Sequence, residues 1–334
     1  MKLDGALTGA DFTQAGDEAA RLEAQGFAGA WSFEGPHDPF VALVLASQRT
    51  QSITLGTAIA VAFARNPMTT AYLAQDIQTL SRGRFVLGLG TQIKPHIEKR
   101  FSQPWSHPVE RMREFVLALR AIFRAWSEGS RLDFRGEFYT HTLMTPMFSP
   151  KLPYGSPPIF LAGFGPRMVE MVGEVADGFF VHPFHSPSSM EAETLPALRR
   201  GFERAGRARK DFTISCQTIV ALGSNDREIE AARQKARGQI SFYGSTPAYK
   251  GVLEHHGYAA LQPELNRLSK QGKWVEMMGK IDDALFDHIA VSGTPSQVAA
   301  KLRARNPFAD RTTLMLYNET APEAVVDVVR ELAG

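Results

Sequence analysis

The feature that most constrains the fold is a repeated alternation of short β-rich runs with longer segments of helical spacing. Such alternation favours an α/β protein in which crossover helices join parallel strands. The pattern predicts eight strands, over residues 2–7, 29–33, 53–59, 84–90, 158–163, 178–182, 212–222 and 312–317. Eight such units close naturally into a (β/α)8 TIM barrel, whose active site lies at the C-terminal ends of its strands. An open doubly wound sheet is the alternative architecture.

Helix boundary signals agree with this alternation. Asn66 supplies a cap and Pro67 a first residue for a helix predicted over residues 67–80. Gly83 can adopt the left-handed conformation that ends a helix. Residues 110–126 place their large apolar side chains on one face, which predicts a helix packed against the core.

Two longer stretches interrupt the pattern. Residues 127–156 are predicted to form an insertion after the fourth strand, and residues 244–292 a mostly helical insertion before the eighth. Excursions of this length are more often lids or binding loops than simple connections. Because no stretch has the composition of a linker, residues 1–334 are expected to form one barrel domain.

Composition and charge exclude several classes of partner. The net charge is only +2, and Lys and Arg are interleaved with Asp and Glu, so a basic face for nucleic acid is not expected. The apolar run at residues 53–64 is shorter than the roughly 20 residues that span a bilayer. Asp4 interrupts any signal-peptide pattern, and Cys216 is the single cysteine. We expect a cytoplasmic protein that binds neither nucleic acid nor membrane.

The stretch GLGTQIKPHIEKR, which begins at Gly88, joins a predicted strand to a basic segment. A dinucleotide fingerprint is incomplete here, because Ile93 stands where the third glycine of G-x-G-x-x-G belongs. In one interpretation Gly88 and Gly90 only let the barrel wall bend. In the other, small residues and the Thr91 hydroxyl leave room for a flat ligand with an anionic part. The basic residues that would attract this part are Lys94, His96, Lys99 and Arg100.

A second small-residue motif, LAGFGPR, follows the fifth predicted strand. Gly163 and Gly165 precede Pro166, which suits the first position of a helix. A helix N-terminus presents unpaired N–H groups and a partial positive charge, so it can hold a phosphate while the glycines allow close approach. Arg167 would add a charge-assisted contact. The alternative is an ordinary strand-to-helix turn.

Titratable side chains follow the second predicted strand. Glu34 and His37 lie where a barrel places catalytic groups, and each could act as a general acid or base. In the alternative interpretation the segment caps the next helix, with Asp38 as the cap and Pro39 as the first helical residue.

Two histidines, His182 and His185, follow the sixth predicted strand. With no third ligand nearby they make a poor metal site, so no metal is expected and both are assigned to the lining of a substrate pocket. Nucleophilic catalysis is equally unsupported, because the sequence has no G-x-S-x-G elbow and Cys216 lies within a strand.

Five motifs together resemble the bacterial luciferase-like (LLM class) superfamily of flavin and deazaflavin oxidoreductases. They resemble in particular its branch that depends on coenzyme F420, an 8-hydroxy-5-deazaflavin. The motifs are ITLGTAIAVAFARNP, LSRGRFVLGLGTQ, FRGEFY, IFLAGFGPRMVEMVGEVADGFF and VSGTPSQVAAKL. They span nearly the whole chain and occur in the order found in the family.

The resemblance implies a barrel, usually homodimeric, that binds a tricyclic ring at the C-terminal ends of its strands. It also implies that the peptide bond between Ala58 and Ile59 is cis and forms a bulge behind this ring. The family's contacts to the cofactor's side chain and phosphate carry over to Thr91, Gln92, His96, Gly163, Phe164 and Gly165.

The chain departs from the branch that oxidises glucose 6-phosphate. That branch has an acid followed by histidine after the second strand, whereas Gly35 follows Glu34 here. It also has a glutamate where this chain has Ile93. We therefore expect a less polar substrate. The aromatic residues expected to face it are Phe33, Phe63, Phe164 and Phe184.

The resulting hypothesis is hydride transfer between coenzyme F420 and a small, fairly apolar organic molecule. Glu34 or His37 would exchange a proton with the substrate, and the second insertion, with Tyr243 and Tyr249 near its start, would cover the pocket. A reduced-FMN-dependent monooxygenase of the same superfamily is the enzymatic alternative. A barrel that only sequesters the deazaflavin is the non-enzymatic one.

Overall fold

The computed structural model describes residues 1–7, 11–317 and 322–333, and these ranges contain a closed ring of eight parallel strands. The strands of the described ranges, which include short ones outside the ring, are β1 Lys2–Ala6, β2 Gly29–Ser32, β3 Thr54–Thr57, β4 Ala60–Val61, β5 Phe85–Gly90, β6 Phe134–Arg135, β7 Thr140–His141, β8 Ile159–Ala162, β9 Gly178–Val181, β10 Thr213–Leu222, β11 Ala290–Gly293 and β12 Arg311–Met315. The ring runs β1, β2, β3, β5, β8, β9, β10, β12 and closes where β12 pairs with β1. The predicted (β/α)8 barrel is confirmed.

The helices surround this ring. They are α1 Ala15–Ala24, α2 Pro39–Arg49, α3 Pro67–Leu80, α4 Pro108–Glu128, α5 Pro166–Val175, α6 Pro187–Ser189, α7 Leu195–Ala205, α8 Asp226–Gly244, α9 Lys250–His255, α10 Leu261–Lys270, α11 Trp274–Met278, α12 Asp283–Ile289, α13 Pro295–Arg305 and α14 Pro322–Ala333. The signals read for α3 act as predicted, since the Asn66 side chain accepts the Thr69 N–H at 3.0 Å and Gly83 has a φ of 86°. Across the described ranges, no helix combines the length and apolarity needed to cross a membrane.

Two details of the strands differ from the prediction. β3 ends at Thr57 rather than at residue 59, and pairing with β5 resumes in β4. The second insertion is mostly helical, as predicted, but it ends in β11, which was missed because four strand residues adjoin a helix directly. β11 pairs with the last residues of β10, from Ile219 to Leu222, beyond the part of β10 that pairs with β9.

Aromatic side chains fill the interior of the barrel. Trp31 on β2 and Phe180 on β9 are not on neighbouring strands, yet their rings meet edge to face at 5.4 Å. Phe160 on β8 lies 5.5 Å from Phe180, and Val86 on β5 joins the same buried cluster. The barrel is therefore packed solid below its C-terminal end, as expected for this architecture.

A buried ion pair lies at the N-terminal end of the barrel. The Arg311 guanidinium donates to both carboxylate oxygens of Asp4, at 2.8 and 2.6 Å, and thereby joins β12 to β1 across the closure of the ring. The same guanidinium lies over the ring of Trp31, 5.3 Å from its centroid. Gly29 leaves room for the pair, because a Cβ there would lie 2.6 Å from an Arg311 nitrogen.

Removing one partner of this pair should destabilise the barrel strongly. Asp4→Ala leaves a buried guanidinium without its counter-charge, and we expect the free energy of unfolding to fall by about 3–5 kcal/mol in urea denaturation. The matched control is Asp17→Ala, whose ion pair with Arg49 has both side chains 62% exposed, and which should cost less than about 1 kcal/mol. Equal losses in the two variants would contradict this account.

Candidate active site

The main cavity opens at the C-terminal ends of the strands and has a volume of about 490 Å³. Volumes of this size hold ligands of cofactor or drug size. The residues predicted for the site that line it are Ala58, Ile59, Thr91, Gln92, Gly163, Phe164 and His182. Lining residues that the sequence interpretation did not single out include Trp105, Met168, Phe180, Gln217, Thr246 and Ala248. Most of the lining is apolar or uncharged.

One wall consists of the segment between β3 and β4. The peptide bond between Ala58 and Ile59 is cis, as the resemblance implied. The Ala58 N–H donates to the Ser32 carbonyl at 2.7 Å, and the Ile59 carbonyl accepts the Glu34 N–H at 3.1 Å. Both bonds tie this wall to β2 and the loop that follows it. The segment therefore has defined partners on the side away from the cavity.

Gly88 and Gly90 play different parts next to this wall. A Cβ at Gly88 would lie 1.8 Å from the Thr57 carbonyl oxygen, so Gly88 is needed for the close approach of β5 to β3. Gly90 lines the cavity itself, and a Cβ there would lie 3.0 Å from the Ile59 side chain. The structural interpretation thus accounts for Gly88, whereas Gly90 enlarges the space available to a ligand.

The segment after β5 carries the polar groups of the second wall. Gln92 has a left-handed φ of 60°, and its side-chain oxygen accepts the Ile93 N–H at 3.0 Å. The Thr91 hydroxyl donates to the Gln92 carbonyl at 3.0 Å. His96, which was predicted to contact a cofactor, is exposed at the start of a π-helical turn and does not line the cavity. Among the described lining residues, Lys94 alone carries a charged side chain.

The N-terminus of α5 forms the third wall. Gly165 has a φ of 87° and adjoins a smaller cavity of about 60 Å³ beside the main one. Gly163 must be small, because a Cβ there would lie 2.3 Å from Met168 Cγ. The first-turn N–H groups have no partners within the helix. Arg167, predicted as a phosphate contact, points instead to Glu110, with which it pairs at 2.5 Å on the surface.

An aromatic cluster closes the cavity on the side of the second insertion. The His182 ring lies 4.3 Å from the Tyr249 ring and 4.7 Å from the Tyr243 ring, and Phe164 lies 4.8 Å from Tyr249. Tyr243 and Tyr317 bring their hydroxyl oxygens to 3.3 Å. Burial lowers the pKa of His182 to about 3 and raises that of Tyr249 to about 12, so both are uncharged at neutral pH.

Phe184 and His185 lie behind this cluster and adjoin the smaller cavity. The Phe184 side chain is fully buried, and burial lowers the pKa of His185 to about 4. His185 Nδ1 is 2.9 Å from the His182 carbonyl oxygen. These two predicted pocket residues therefore support His182 rather than the main cavity. Among the residues with described positions, no cluster of three or more His, Cys, Asp or Glu side chains could hold a metal ion.

The structure places Glu34 away from the cavity surface. One carboxylate oxygen accepts the Val61 N–H and an Arg65 guanidinium N–H, each at 2.6 Å, and the side chain is only 6% exposed. The second Arg65 nitrogen binds Asp38, which also caps α2 as the alternative interpretation held. Through this carboxylate oxygen Glu34 fastens β4, and Glu34 does not line the main cavity.

Three further predicted residues also lie outside the main cavity. His37 packs against Phe12 at 4.5 Å in a separate shallow depression, and Phe33 is 48% exposed beside it. Phe63 is buried behind Trp105, with their rings 5.7 Å apart, and so supports a lining residue without lining the cavity. Phe33 and His37 lie on the exposed loop that leads from β2 to the Asp38 cap of α2, whereas Phe63 follows β4.

The lining residues that were not predicted differ in how clearly the sequence indicates their position. Gln217 is a polar residue inside the apolar run of β10, and a polar residue there points into the barrel mouth or is paired in the core. Trp105 lies in a loop, between π-helical and α-helical segments, where no periodicity predicts its direction. Thr246 and Ala248 belong to the insertion that was predicted to cover the pocket.

Comparison with known proteins identifies what this chain is similar to. Residues 2–310 match the family described as luciferase-like monooxygenase. An uncharacterised protein of Mycobacterium tuberculosis is 54% identical over 326 residues, covering 97% of this chain and 96% of its own length. The 5,10-methylenetetrahydromethanopterin reductase of Archaeoglobus fulgidus is 30% identical over 269 residues, covering 78% of this chain and 75% of the reductase.

Among solved structures, the coenzyme F420-dependent tetrahydromethanopterin reductase of Methanopyrus kandleri has the same fold. Its TM-score against this chain is 0.81, with 18% sequence identity, and the match covers 99% of this chain and 98% of the reductase.

The hydrogen bonds of Glu34 predict that this residue stabilises the folded protein. Glu34→Ala deprives the Val61 N–H and the Arg65 guanidinium of their acceptor, so the free energy of unfolding should fall by about 1.5–3 kcal/mol. Glu203→Ala, at an exposed position of α7, is the control and should stay within about 0.5 kcal/mol of the wild type. If urea denaturation finds the two variants equally stable, Glu34 is not a structural anchor.

Proposed function

The chain belongs to the luciferase-like family, and from this premise we propose that it is an oxidoreductase dependent on coenzyme F420. Its substrate would be a small, largely apolar organic molecule. The observation that carries the proposal is the main cavity, which combines an apolar floor with a rim of backbone N–H groups and small residues. The non-polar part suits a tricyclic ring, and the rim suits its phosphate-bearing side chain.

The residues present fit such a cofactor. The segment from Ala58 to Ile59 and the small residue Gly90 leave a flat face for the ring. Thr91 and Gln92 offer a hydroxyl and an amide on one side of the cavity, and the first turn of α5 offers N–H groups on the other. When bound, the deazaflavin supplies a ring carbon that exchanges a hydride with the substrate.

The chain's own part in the reaction is binding, orientation and exclusion of water. Tyr249, Thr246 and Ala248 bring the second insertion over the cavity. Because the described lining contains no carboxylate, and Lys94 lies 61% exposed at the rim beside Glu98, the interior favours an uncharged substrate. We further propose that Glu34 acts as a positioning residue, since it holds the strand that continues the Ala58–Ile59 wall.

The names of the relatives support the deazaflavin over FMN. The 30% identical relative is named as a methylenetetrahydromethanopterin reductase, and a solved reductase of the same kind is named as F420-dependent. The family description as a monooxygenase favours the second candidate, a reduced-FMN-dependent monooxygenase. The two are separated by oxygen consumption, because a deazaflavin does not activate oxygen as a flavin does.

We also propose that the protein is a homodimer. Exposed aliphatic side chains lie on one face of two adjacent helices, Val41 and Val44 on α2 and Leu73 and Leu80 on α3. Met147 and Phe148, both exposed, extend this patch, since the Phe148 carbonyl accepts the Tyr72 hydroxyl of α3 at 2.7 Å. An apolar face of this kind is typical of an interface, and a second copy of the chain presents the same patch.

Fluorescence titration of the purified protein with coenzyme F420 and, separately, with FMN tests which cofactor binds. Substitutions at the cavity wall test where it binds. We expect a micromolar or tighter Kd for F420 and weaker binding of FMN. Ala162→Leu adds three carbon atoms to the cavity wall and should weaken F420 binding at least ten-fold, whereas Ala205→Leu, at an exposed helix end, should not. Tight binding of FMN alone, or unchanged binding in Ala162→Leu, would contradict the proposal.

The dimer is tested by charge substitution in the apolar patch. Val44→Arg places a charge in the centre of the proposed interface, and sedimentation velocity should show a shift from dimer to monomer. Val275→Arg makes the same change at a valine that is 79% exposed on α11, and this variant should remain dimeric. A monomeric wild type, or equal behaviour of the two variants, would refute the interface.

A further inference from the structure

His182 is held in one tautomer by the backbone that follows it. The Phe184 N–H donates to His182 Nδ1 at 3.1 Å, so Nδ1 is an acceptor and carries no proton. If Nδ1 carried a proton, its N–H would face the Phe184 N–H, and this hydrogen bond would be lost. The proton of the neutral ring therefore resides on Nε2.

The Nε2–H group is available to a ligand. His182 lines the main cavity, and among the described residues no side chain or carbonyl forms a hydrogen bond with Nε2. The neighbours of the ring are the faces and edges of Tyr249, Tyr243 and Phe164. These aromatic groups exclude water and fix the plane of the imidazole, but they do not satisfy its donor.

The surroundings also decide what the donor can recognise. Burial lowers the pKa of His182 to about 3, and the nearby His185 acts in the same direction, so the ring stays neutral in the working range. A neutral donor in an apolar setting favours an uncharged acceptor such as a carbonyl over a carboxylate or phosphate. The rings of Phe164 and Tyr249 pack against each other, 4.8 Å apart, and present an aromatic surface beside the donor on which a planar molecule can stack.

We propose that His182, with Nδ1 held by the Phe184 N–H, donates a hydrogen bond from Nε2 that binds and polarises the carbonyl oxygen of a planar, conjugated, uncharged substrate. This inference rests on the proposed function and names its substrate class. Donation from Nε2 withdraws electron density from the conjugated carbon atoms, which makes them better acceptors of a hydride. The hydride would come from the reduced deazaflavin, which would be oxidised, and its addition would turn the conjugated carbonyl group into an enolate. A neutral imidazole can stabilise the negative charge on the enolate oxygen without transferring its own proton, and the enolate would take its proton from solvent water.

The tautomer is tested first, on the ligand-free protein, by ¹⁵N-detected NMR of histidine-labelled wild type with His182→Phe to assign the signals. At pH 7 we expect Nε2 to be protonated and Nδ1 not. A protonated Nδ1, or a doubly protonated ring, would overturn the inference. This measurement involves no cofactor, so it can fail while F420 titration still supports the proposed function, and the reverse also holds.

The donor's role is tested with two probes of equal size, trans-cinnamaldehyde and trans-β-methylstyrene, in which a methyl group replaces the aldehyde. Calorimetric titration in the presence of oxidised coenzyme F420 should show at least ten-fold tighter binding of the aldehyde to the wild type. His182→Phe should lose this preference while still binding the hydrocarbon, and His182→Gln, which can donate from its amide, should regain part of it.

Three results would contradict the assignment. They are equal binding of both probes by the wild type, a preference for the aldehyde that persists in His182→Phe, and binding of neither probe. Persistence of hydrocarbon binding in His182→Phe shows that the variant is folded, so loss of the preference cannot be attributed to unfolding.

Discussion

The contact between Thr57 and Gly88 is the constraint on which the site depends. The Thr57 hydroxyl donates to the Gly88 carbonyl at 2.6 Å and lies 2.9 Å from the Gly88 N–H, where no side chain larger than hydrogen fits. β3 and β5 are therefore in close contact here, and β3 ends at Thr57. Pairing resumes only in β4, where Ala60 lies opposite Leu89 and Val61 opposite Gly90. The two residues between, Ala58 and Ile59, are free of the ladder and form the wall that faces the cavity.

Charges are kept behind this wall and at the rim of the cavity. Arg65 pairs with both Glu34 and Asp38 on the far side of β4, and Lys94 lies at the mouth beside Glu98. The interior presents neutral donors and acceptors, with histidine and tyrosine held uncharged by burial. Such a cavity suits chemistry in which a bound cofactor carries the electrons, because the protein then needs only to orient two ligands and to exclude water.

The sequence predicted the architecture well because the barrel repeats one local pattern eight times. Caps such as Asn66 and Asp38 act over three and two residues respectively, so local chemistry was enough to place them. The direction of Glu34 could not be read in this way, because it depends on Arg65, which is 31 residues distant in the chain. Trp105 reaches the cavity from a loop, where no periodicity predicts its direction, whereas Gln217 left a weak signal as a polar residue inside an apolar strand. β11 was hidden for a different reason, since its four residues continue directly from α12.

The central claim is that a deazaflavin ring lies in the main cavity against the segment from Ala58 to Ile59. A crystal structure of the protein with coenzyme F420 tests it most directly. We predict density for the ring beside Ile59 and for the phosphate near the first turn of α5. Density for the ring outside the cavity, or a cavity filled by side chains in the complex, would contradict the account.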